Sequence, residues 1–344
     1  MIPTGNSSKI LVTGGAGFIG SHTVVSLVNA GYEPIIIDDF SNSQRSVLSG
    51  LRSILGHDVR CYPVDCNDEA EMTSIFQKEK PIGVIHFAAY KAVGESVAQP
   101  LKYYRNNLDS LLLLLELMQA FKVPHLVFSS SCTVYGQPEQ LPVTEETPRL
   151  PAQSPYGNTK AIGEDIIRDA VRAKIPVKAL ALRYFNPIGA HPSAEIGELP
   201  LGVPANLVPF ITQTAAGIRP SLTVYGDDYS TPDGTCIRDY IDVMDLADAH
   251  VQAVKKLIDT DVESLYDVIN IGTGRGETVL NIIKTFEDVT GVKVNYTIGP
   301  RRTGDVEKVY ADVTKANTVL NWTAQRSLAD SLRDAWKWQQ RLSV

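Results

Sequence analysis

Two side chains spaced for proton chemistry stand near the middle of this 344-residue chain. Tyr156 and Lys160 lie four residues apart, directly after Ser154-Pro155. Proline suits the first turn of a helix, and an i, i+4 spacing sets both side chains on one helical face. Tyrosine is a poor base at neutral pH, its reference pKa being about 10. A neighbouring ammonium favours the phenolate, as does the positive charge of an oxidised nicotinamide, and the lysine can also hydrogen-bond the nicotinamide ribose. A bare Y-x-x-x-K match arises by chance, so a second element must give it meaning. Ser129, Ser130 and Ser131 do so: they end the fifth β-rich run, and open α/β sheets bind ligands beyond the C-terminal ends of their strands. Ser131 can offer its hydroxyl to the same substrate oxygen that Tyr156 deprotonates. Ser131, Tyr156 and Lys160 together describe hydride transfer from a secondary alcohol.

That chemistry needs a dinucleotide, and the first turn of the chain is built for one. Gly14, Gly17 and Gly20 follow an apolar run and open a helical pattern. Gly14 permits the tight turn, Gly17 lets backbone approach a pyrophosphate, and Gly20 lets the helix pack on the sheet. The helix N-terminus then presents free amides to the anion. Asp38 closes the next strand, at the expected separation of roughly 20 residues, where its carboxylate accepts from the adenosine ribose hydroxyls. A carboxylate there repels a 2′-phosphate, so the expected cofactor is NAD. Asp65, after the third strand, reads either as an adenine contact or as a simple strand cap. No G-x-x-x-x-G-K-[ST] phosphate loop is present.

These groups are positioned by alternating strands and helices, the pattern of a parallel sheet covered on both faces. Strands are expected at Ile10–Thr13, Pro34–Asp38, Val59–Val64, Val84–Phe87, His125–Ser130 and Val177–Leu182. Helices are expected near Gly17–Asn29, Glu69–Lys78, Leu101–Phe121 and Pro155–Ala173. After Asn186 the texture changes. Pro187–Pro204 reads as a long functional loop over the sheet's edge. Helices near Val208–Ala216, Val243–Ile258, Leu280–Val289 and Leu328–Gln339 follow, with strands at Leu222–Val224, Tyr266–Ile271 and Lys293–Tyr296.

Composition sets the outer limits. At 44% hydrophobic and 21% charged residues the chain is an ordinary globule, and its longest leucine run, Leu111–Leu115, is too short to span a membrane. A net charge of −7 with no Lys/Arg run argues against nucleic acid. The opening MIPTGNSSK has no apolar stretch, so no secretory leader is expected. Cys61, Cys66, Cys132 and Cys236 form no C-x-x-C pair and have no histidine at ligand spacing, so a reduced, cytoplasmic protein without a metal is expected. The six histidines are scattered and read as structural, and Cys132 as buried beside a strand end.

With these residues in view, the chain resembles the UDP-glucose 4-epimerase family of the extended short-chain dehydrogenase/reductase superfamily. The resemblance rests on VTGGAGFIGSH at 12–22, HFAAYKAVGES at 86–96, YYRNN at 103–107, FSSSCTVYG at 128–136 and SPYGNTK at 154–160. It continues through LRYFNPIGAH at 182–191, ANLVPF at 205–210, GTCIRDYI at 234–241 and RRTGD at 301–305. It implies a Rossmann-type doubly wound parallel sheet with a smaller mixed α/β substrate-binding domain. Residues 1–186 would form the NAD-binding domain, its sheet completed from about 236–272, and 187–344 would bind mainly the UDP-sugar. Gly14, Gly17, Phe18, Ile19, Gly20, Asp38, Asn42, Ser43, Asp65, Cys66, Phe87, Ala88, Lys91 and Asn106 would line the NAD site. Ser129, Tyr156, Lys160 and Tyr184 would complete it. Ser131 and Tyr156 would handle the proton, with Lys160 as orienter. Asn186, Asn206, Leu207, Arg238 and Arg302 would contact the UDP-sugar, with Asp305 on the uridine ribose. Guanidinium groups suit a diphosphate independently, because they donate in a fixed fork.

The implied reaction is redox-neutral: C4 is oxidised, the 4-keto sugar turns over, and the hydride returns from bound NAD to the other face. A 4,6-dehydratase would need an Asp-Glu pair after the strand-five hydroxyl, where this chain has Cys132 and Thr133. The same residues leave open an epimerase of UDP-pentoses or UDP-uronates, a nucleotide-sugar decarboxylase, and a non-catalytic NAD-binding protein. The family resemblance also implies a homodimer paired through Leu101–Phe121 and Pro155–Ala173. It places Val309, four residues past Asp305, at the sugar pocket, where a small residue leaves room for an N-acetyl group. Otherwise Val309 only fills a strand, and Tyr310 or the Pro187–Pro204 loop closes the pocket.

Overall fold

A computed structural model describes residues 8–302 and 305–342. Its centre is a parallel sheet of seven strands, Lys9–Thr13, Glu33–Ile37, Cys61–Tyr62, Gly83–His86, His125–Ser131, Lys178–Tyr184 and Leu265–Ile271. Across the sheet they run third, second, first, fourth, fifth, sixth, seventh. The winding therefore reverses between the first and fourth strands, and a crevice opens beyond their C-terminal ends. Both faces are covered, so the strands read as nearly continuous apolar runs. Ile10 and Val12 pack with helices Phe18–Asn29 and Val243–Asp259 on one face. Leu11 packs with helices Glu69–Glu79, Pro100–Ala120 and Pro155–Arg172 on the other.

Several local expectations shift under tertiary contact. The third strand keeps only Cys61–Tyr62 of the expected Val59–Val64, and the next residue, Pro63, has no N–H to extend the ladder. The fifth and sixth strands run further than expected, pairing up to Ser131 and Tyr184. Helix Ser46–Leu55 is not among the expected elements, although Val47, Leu51, Ile54 and Leu55 have helical spacing. Near the C-terminus the strand is Tyr296–Gly299 rather than Lys293–Tyr296. Val294 is instead tied to the preceding helix, its amide donating to Glu287 Oε1 at 2.9 Å.

A third core gathers helices Leu207–Ala215, Val279–Thr290 and Leu328–Leu342 around Ile188, Val224 and Leu332. The segment after Asn186 does not simply cross the sheet edge. It starts as strand Asn186–Ile188, paired in parallel with Tyr240–Asp242. Beyond it Ile196 is buried in the first core, and the Trp338 indole donates to the Glu198 carbonyl at 2.9 Å. This strap therefore links the sheet region to the last helix. No helix among the described residues is long and apolar enough to cross a membrane.

Candidate active site

A cavity of about 340 Å³ follows the C-terminal ends of the central strands from the glycine turn to Asn206. Gly14 sits at φ +68°, and a Cβ there would stand 2.8 Å from the Ala88 amide nitrogen. A Cβ on Gly20 would stand 2.3 Å from the Gly14 carbonyl oxygen. Only glycine lets the turn, the helix and the fourth strand close together here. Gly17 caps helix Phe18–Asn29 without a side-chain acceptor, so the amides of its first turn remain for an anion.

Asp38 is buried and oriented before any ribose arrives. Its Oδ2 accepts from the Ala16 amide at 2.9 Å, and its Oδ1 from the Phe40 amide at 3.0 Å and the Ser43 hydroxyl at 2.8 Å. Burial pushes its carboxyl up, and these donors pull it back. Asp65 is exposed beside the cavity, its Oδ1 accepting from the Asn67 amide and side chain at 2.9 Å each. Cys66 lies behind it with a thiol that burial pushes up. Phe18, Ile19, Asn42, Phe87, Ala88, Lys91 and Asn106 line the same cavity. Every residue expected around NAD does so.

At the other end the fifth and sixth strands bring Ser129, Ser131 and Tyr184 to the cavity, with Ser129 hydrogen-bonded to Tyr184. The facing helix begins as expected. Ser154 caps it by accepting from the Gly157 amide at 3.1 Å, Pro155 opens it, and Tyr156 and Lys160 point into the cavity. Lys160 Nζ lies 5.9 Å from the centroid of the Tyr156 ring. Burial pushes the Tyr156 hydroxyl up to about 12, with Cys132 adding to the effect and the Ser131 hydroxyl opposing it. Burial alone draws Lys160 down to about 8, and no carboxylate among the described residues pairs with it. Tyr156 thus stays neutral until a charge that favours its phenolate enters the cavity, whereas Lys160 keeps most of its ammonium at neutral pH.

That helix is anchored from beneath. Glu164 continues the stripe of Tyr156 and Lys160 and is buried. Arg183 grips it bidentately, Nε to Oε1 at 2.8 Å and Nη2 to Oε2 at 2.6 Å, and the Ser130 hydroxyl donates to Oε1 at 2.5 Å.

The expected substrate residues divide. Asn186 and Asn206 line the main cavity with Ser131 and Tyr156, whereas Leu207, Arg238, Arg302, Asp305 and Val309 do not. Arg302 is turned onto Asp305, with contacts of 2.7 and 3.1 Å, and Arg238 lies 3.9 Å from the same carboxylate. Thr303 and Gly304 of the RRTGD motif lie outside the described residues. Asp305 borders a second, open hollow with Tyr229 and Arg301. Leu207 starts its helix and packs on the third core. Val309 is only 5% exposed, one layer behind the cavity in a cluster with Phe185 and Cys132. Cavity residues missed from sequence include Asn67, Tyr90, Thr133 and Phe185. Each lies within two positions of an expected one, and Tyr90, Thr133 and Phe185 also fall inside the quoted motifs; that proximity is the signal the sequence carries for them.

Sheet order, glycine cradle and Ser-Tyr-Lys cluster define a dinucleotide-dependent enzyme of the extended short-chain dehydrogenase/reductase class. A family model described as GDP-mannose 4,6 dehydratase matches residues 11–335. UDP-glucose 4-epimerase 2 of Arabidopsis thaliana is 48% identical over 335 residues, 96% of this chain and 95% of its own. The UDP-glucose 4-epimerase structure from Stenotrophomonas maltophila, with bound NAD and formylated UDP-arabinopyranose, superposes with a TM-score of 0.94 at 45% identity, covering 98% of this chain and 99% of its own. That from Bifidobacterium longum, in complex with NAD+ and UDP, gives 0.92 at 46% identity, covering 97% and 98%. The chain belongs to this nucleotide-sugar family and, within it, to the UDP-glucose 4-epimerases.

The anchoring pair makes a stability prediction. Glu164→Leu or Arg183→Met alone strands a buried charge and should cost about 3–5 kcal/mol. The double substitution should cost clearly less than the sum of the two. Urea unfolding of all four proteins checks this, and strictly additive losses would contradict a coupled pair.

Proposed function

We propose that this chain is a UDP-glucose 4-epimerase, interconverting UDP-glucose and UDP-galactose through a 4-keto sugar while NAD stays bound. The observation that carries the reading is one cavity with the Gly14–Asp38 cradle at one end and Ser131, Tyr156 and Lys160 at the other. NAD, when bound, supplies a reversible two-electron acceptor for C4 of the sugar. The Gly14–Gly20 turn holds its pyrophosphate and Asp38 its adenosine ribose. Tyr156 takes the proton from the 4-hydroxyl and Ser131 hydrogen-bonds the same oxygen. A positive charge in the cavity favours the phenolate that burial otherwise opposes, and the Lys160 ammonium adds to it. Asn186, Asn206, Leu207, Arg238, Arg302 and Asp305 are the residues we assign to the nucleotide and sugar.

A 4,6-dehydratase, the activity in the family model's description, needs an acid-base pair after Ser131. Cys132 and Thr133 do not provide one, and burial pushes the Cys132 thiol up to about 12, so it stays protonated.

We divide the labour between 1–186 for NAD and 187–344 for the UDP-sugar, in a cytoplasmic homodimer. Leu111, Leu114 and Leu115 are spent inside the subunit, so the leucine run offers less to a partner than its sequence suggests. What supports a seam is that helix Pro100–Ala120 exposes Leu112 at 44% and Leu101 at 80%. Sedimentation should give twice the chain mass at micromolar concentration, and a monomer would refute the pairing.

Val309 supports acceptance of N-acetylated sugars as well. A tyrosine at 309 would overfill the cluster behind Cys132 and Phe185 and press both toward the sugar end. Val309→Tyr should lose turnover of UDP-GlcNAc and UDP-GalNAc while keeping UDP-glucose and UDP-galactose. Steady-state rates on both pairs check this; a wild type inert toward UDP-GlcNAc, or equal loss of both pairs, removes the gate from position 309.

The activity itself is tested by incubating purified protein with UDP-glucose and resolving UDP-galactose, without added NAD being consumed. Tyr156→Phe should lower kcat by at least about 10²-fold and leave NAD and UDP affinity nearly intact. Undiminished turnover would take Tyr156 out of the reaction.

A further inference from the structure

Lys91 and Asn206 line the main cavity, and both are exposed to solvent. Among the described residues, each has the same single side-chain partner, Glu198, which does not itself line the cavity. Glu198 lies on the strap beyond Asn186, and its backbone is held from the far side. Ile196 is fully buried, and Gly197 lies against the Trp338 indole, where a Cβ would stand 2.5 Å from Cδ1. That indole donates to the Glu198 carbonyl at 2.9 Å, and Glu195 is paired with Arg341 at 2.6 Å. From this anchored backbone the Glu198 side chain, 11% exposed, reaches the two cavity residues.

The two contacts differ in weight. Lys91 Nζ stands 4.0 Å from Oε1 on a side chain 52% exposed, a pair of the kind that contributes little. Asn206 Nδ2 donates to Oε1 at 2.6 Å, a short hydrogen bond to a charged acceptor and of the stronger kind. Burial pushes the Glu198 carboxyl up, and both partners favour its ionised form. Glu198 therefore acts mainly through Asn206.

Asn206 immediately precedes helix Leu207–Ala215, where an asparagine side chain ordinarily accepts from an amide of the first turn. No such cap forms here; the side chain is spent on Glu198 instead. A carboxylate only accepts, so the NH2 group of Asn206 must face it, and the carbonyl Oδ1 faces away.

We infer that Glu198 is a positioning residue for the UDP-sugar: it holds Asn206 out of its helix cap, with Oδ1 presented as an acceptor to a donor group of the substrate. The inference rests on the UDP-sugar 4-epimerase reading, which assigns Asn206 to the substrate. Glu198 touches neither substrate nor cofactor. Its effect falls on binding, made alike before and during reaction, and so on KM rather than kcat.

Glu198→Met, Glu198→Gln, Asn206→Ala and the double variant Glu198→Met/Asn206→Ala, all in the full chain with NAD bound, test it. Glu198→Met should raise KM for UDP-glucose and UDP-galactose about three- to tenfold, with kcat within about twofold of wild type. Glu198→Ala gives the same reading if methionine is poorly accommodated. Glu198→Gln, whose side-chain carbonyl still accepts from Asn206, should recover most of the wild-type KM. The double variant should raise KM no further than Asn206→Ala alone, because Glu198 works through that residue. Wild-type KM in Glu198→Met or in Asn206→Ala would overturn the inference, as would additive losses in the double variant. A raised KM that glutamine does not recover would also overturn it; with Tm lowered the role is structural, and with Tm unchanged the charge beside Lys91 is what counts. A wild type inactive on both sugars would overturn the epimerase reading first, and the inference with it.

Discussion

The buried ion pair between Glu164 and Arg183 is the constraint on which the reacting end of the cavity depends. Tyr156, Lys160 and Glu164 form one stripe down the helix, so whatever holds Glu164 sets the height and rotation of the other two. Arg183 on the sixth strand holds it, and Ser130, directly opposite Arg183 in the strand register, holds it as well. Strand alternation then turns the neighbours Ser129, Ser131 and Tyr184 to the other side, toward the cavity. One carboxylate beneath the sheet thereby registers a helix against two strands. Removing either partner is costly, yet a buried ion pair is weak evidence for net stability. Its contribution here is geometrical.

The remainder of the network extends this register across the fold. Arg183 also donates to Tyr135, which donates to Asn270 of the seventh strand, and Asn270 donates to the Val143 carbonyl. The turn carrying Cys132 and Thr133 is consequently tied to the sheet rather than free to follow a ligand. On the opposite side, Asn107 donates to Thr159, linking the long helix to the Tyr156 helix. Tyr156 and Lys160 stand on elements held from both sides, whereas Arg302 and Asp305 are tied mainly to each other. This contrast suits a reaction in which the acid-base groups stay fixed while the substrate is gripped elsewhere and its sugar turns.

Charge distinguishes the two ends of the cavity. Lys160 is left without a carboxylate and Tyr156 lies in an environment that favours its neutral form. A low-dielectric pocket with one unpaired cation is poorly stabilised alone and favours anionic groups brought into it. Asp38, by contrast, has its preferred donors built in and is ready to accept more. The Asp38 end is therefore preorganised, and the Tyr156–Lys160 end responds to what binds.

The sequence by itself determined everything governed by short-range geometry. The glycine turn, the Asp38 strand end, the Pro155 helix start and the Tyr156–Lys160 spacing all depend on backbone torsions, a missing Cβ or one helical repeat. The end of strand Cys61–Tyr62 before Pro63 and the apolar spacing of helix Ser46–Leu55 are written in the same local terms. Only the tertiary structure decided the rest. The pairing of Glu164 with Arg183, the placing of Val309 behind Phe185, and the unsatisfied hydroxyl of Thr133 depend on which separate elements meet. A hydrogen bond forms or fails over a few tenths of an ångström. Composition and spacing along the chain do not resolve that distance; the packing of segments more than a hundred residues apart, as in Tyr135 with Asn270, does.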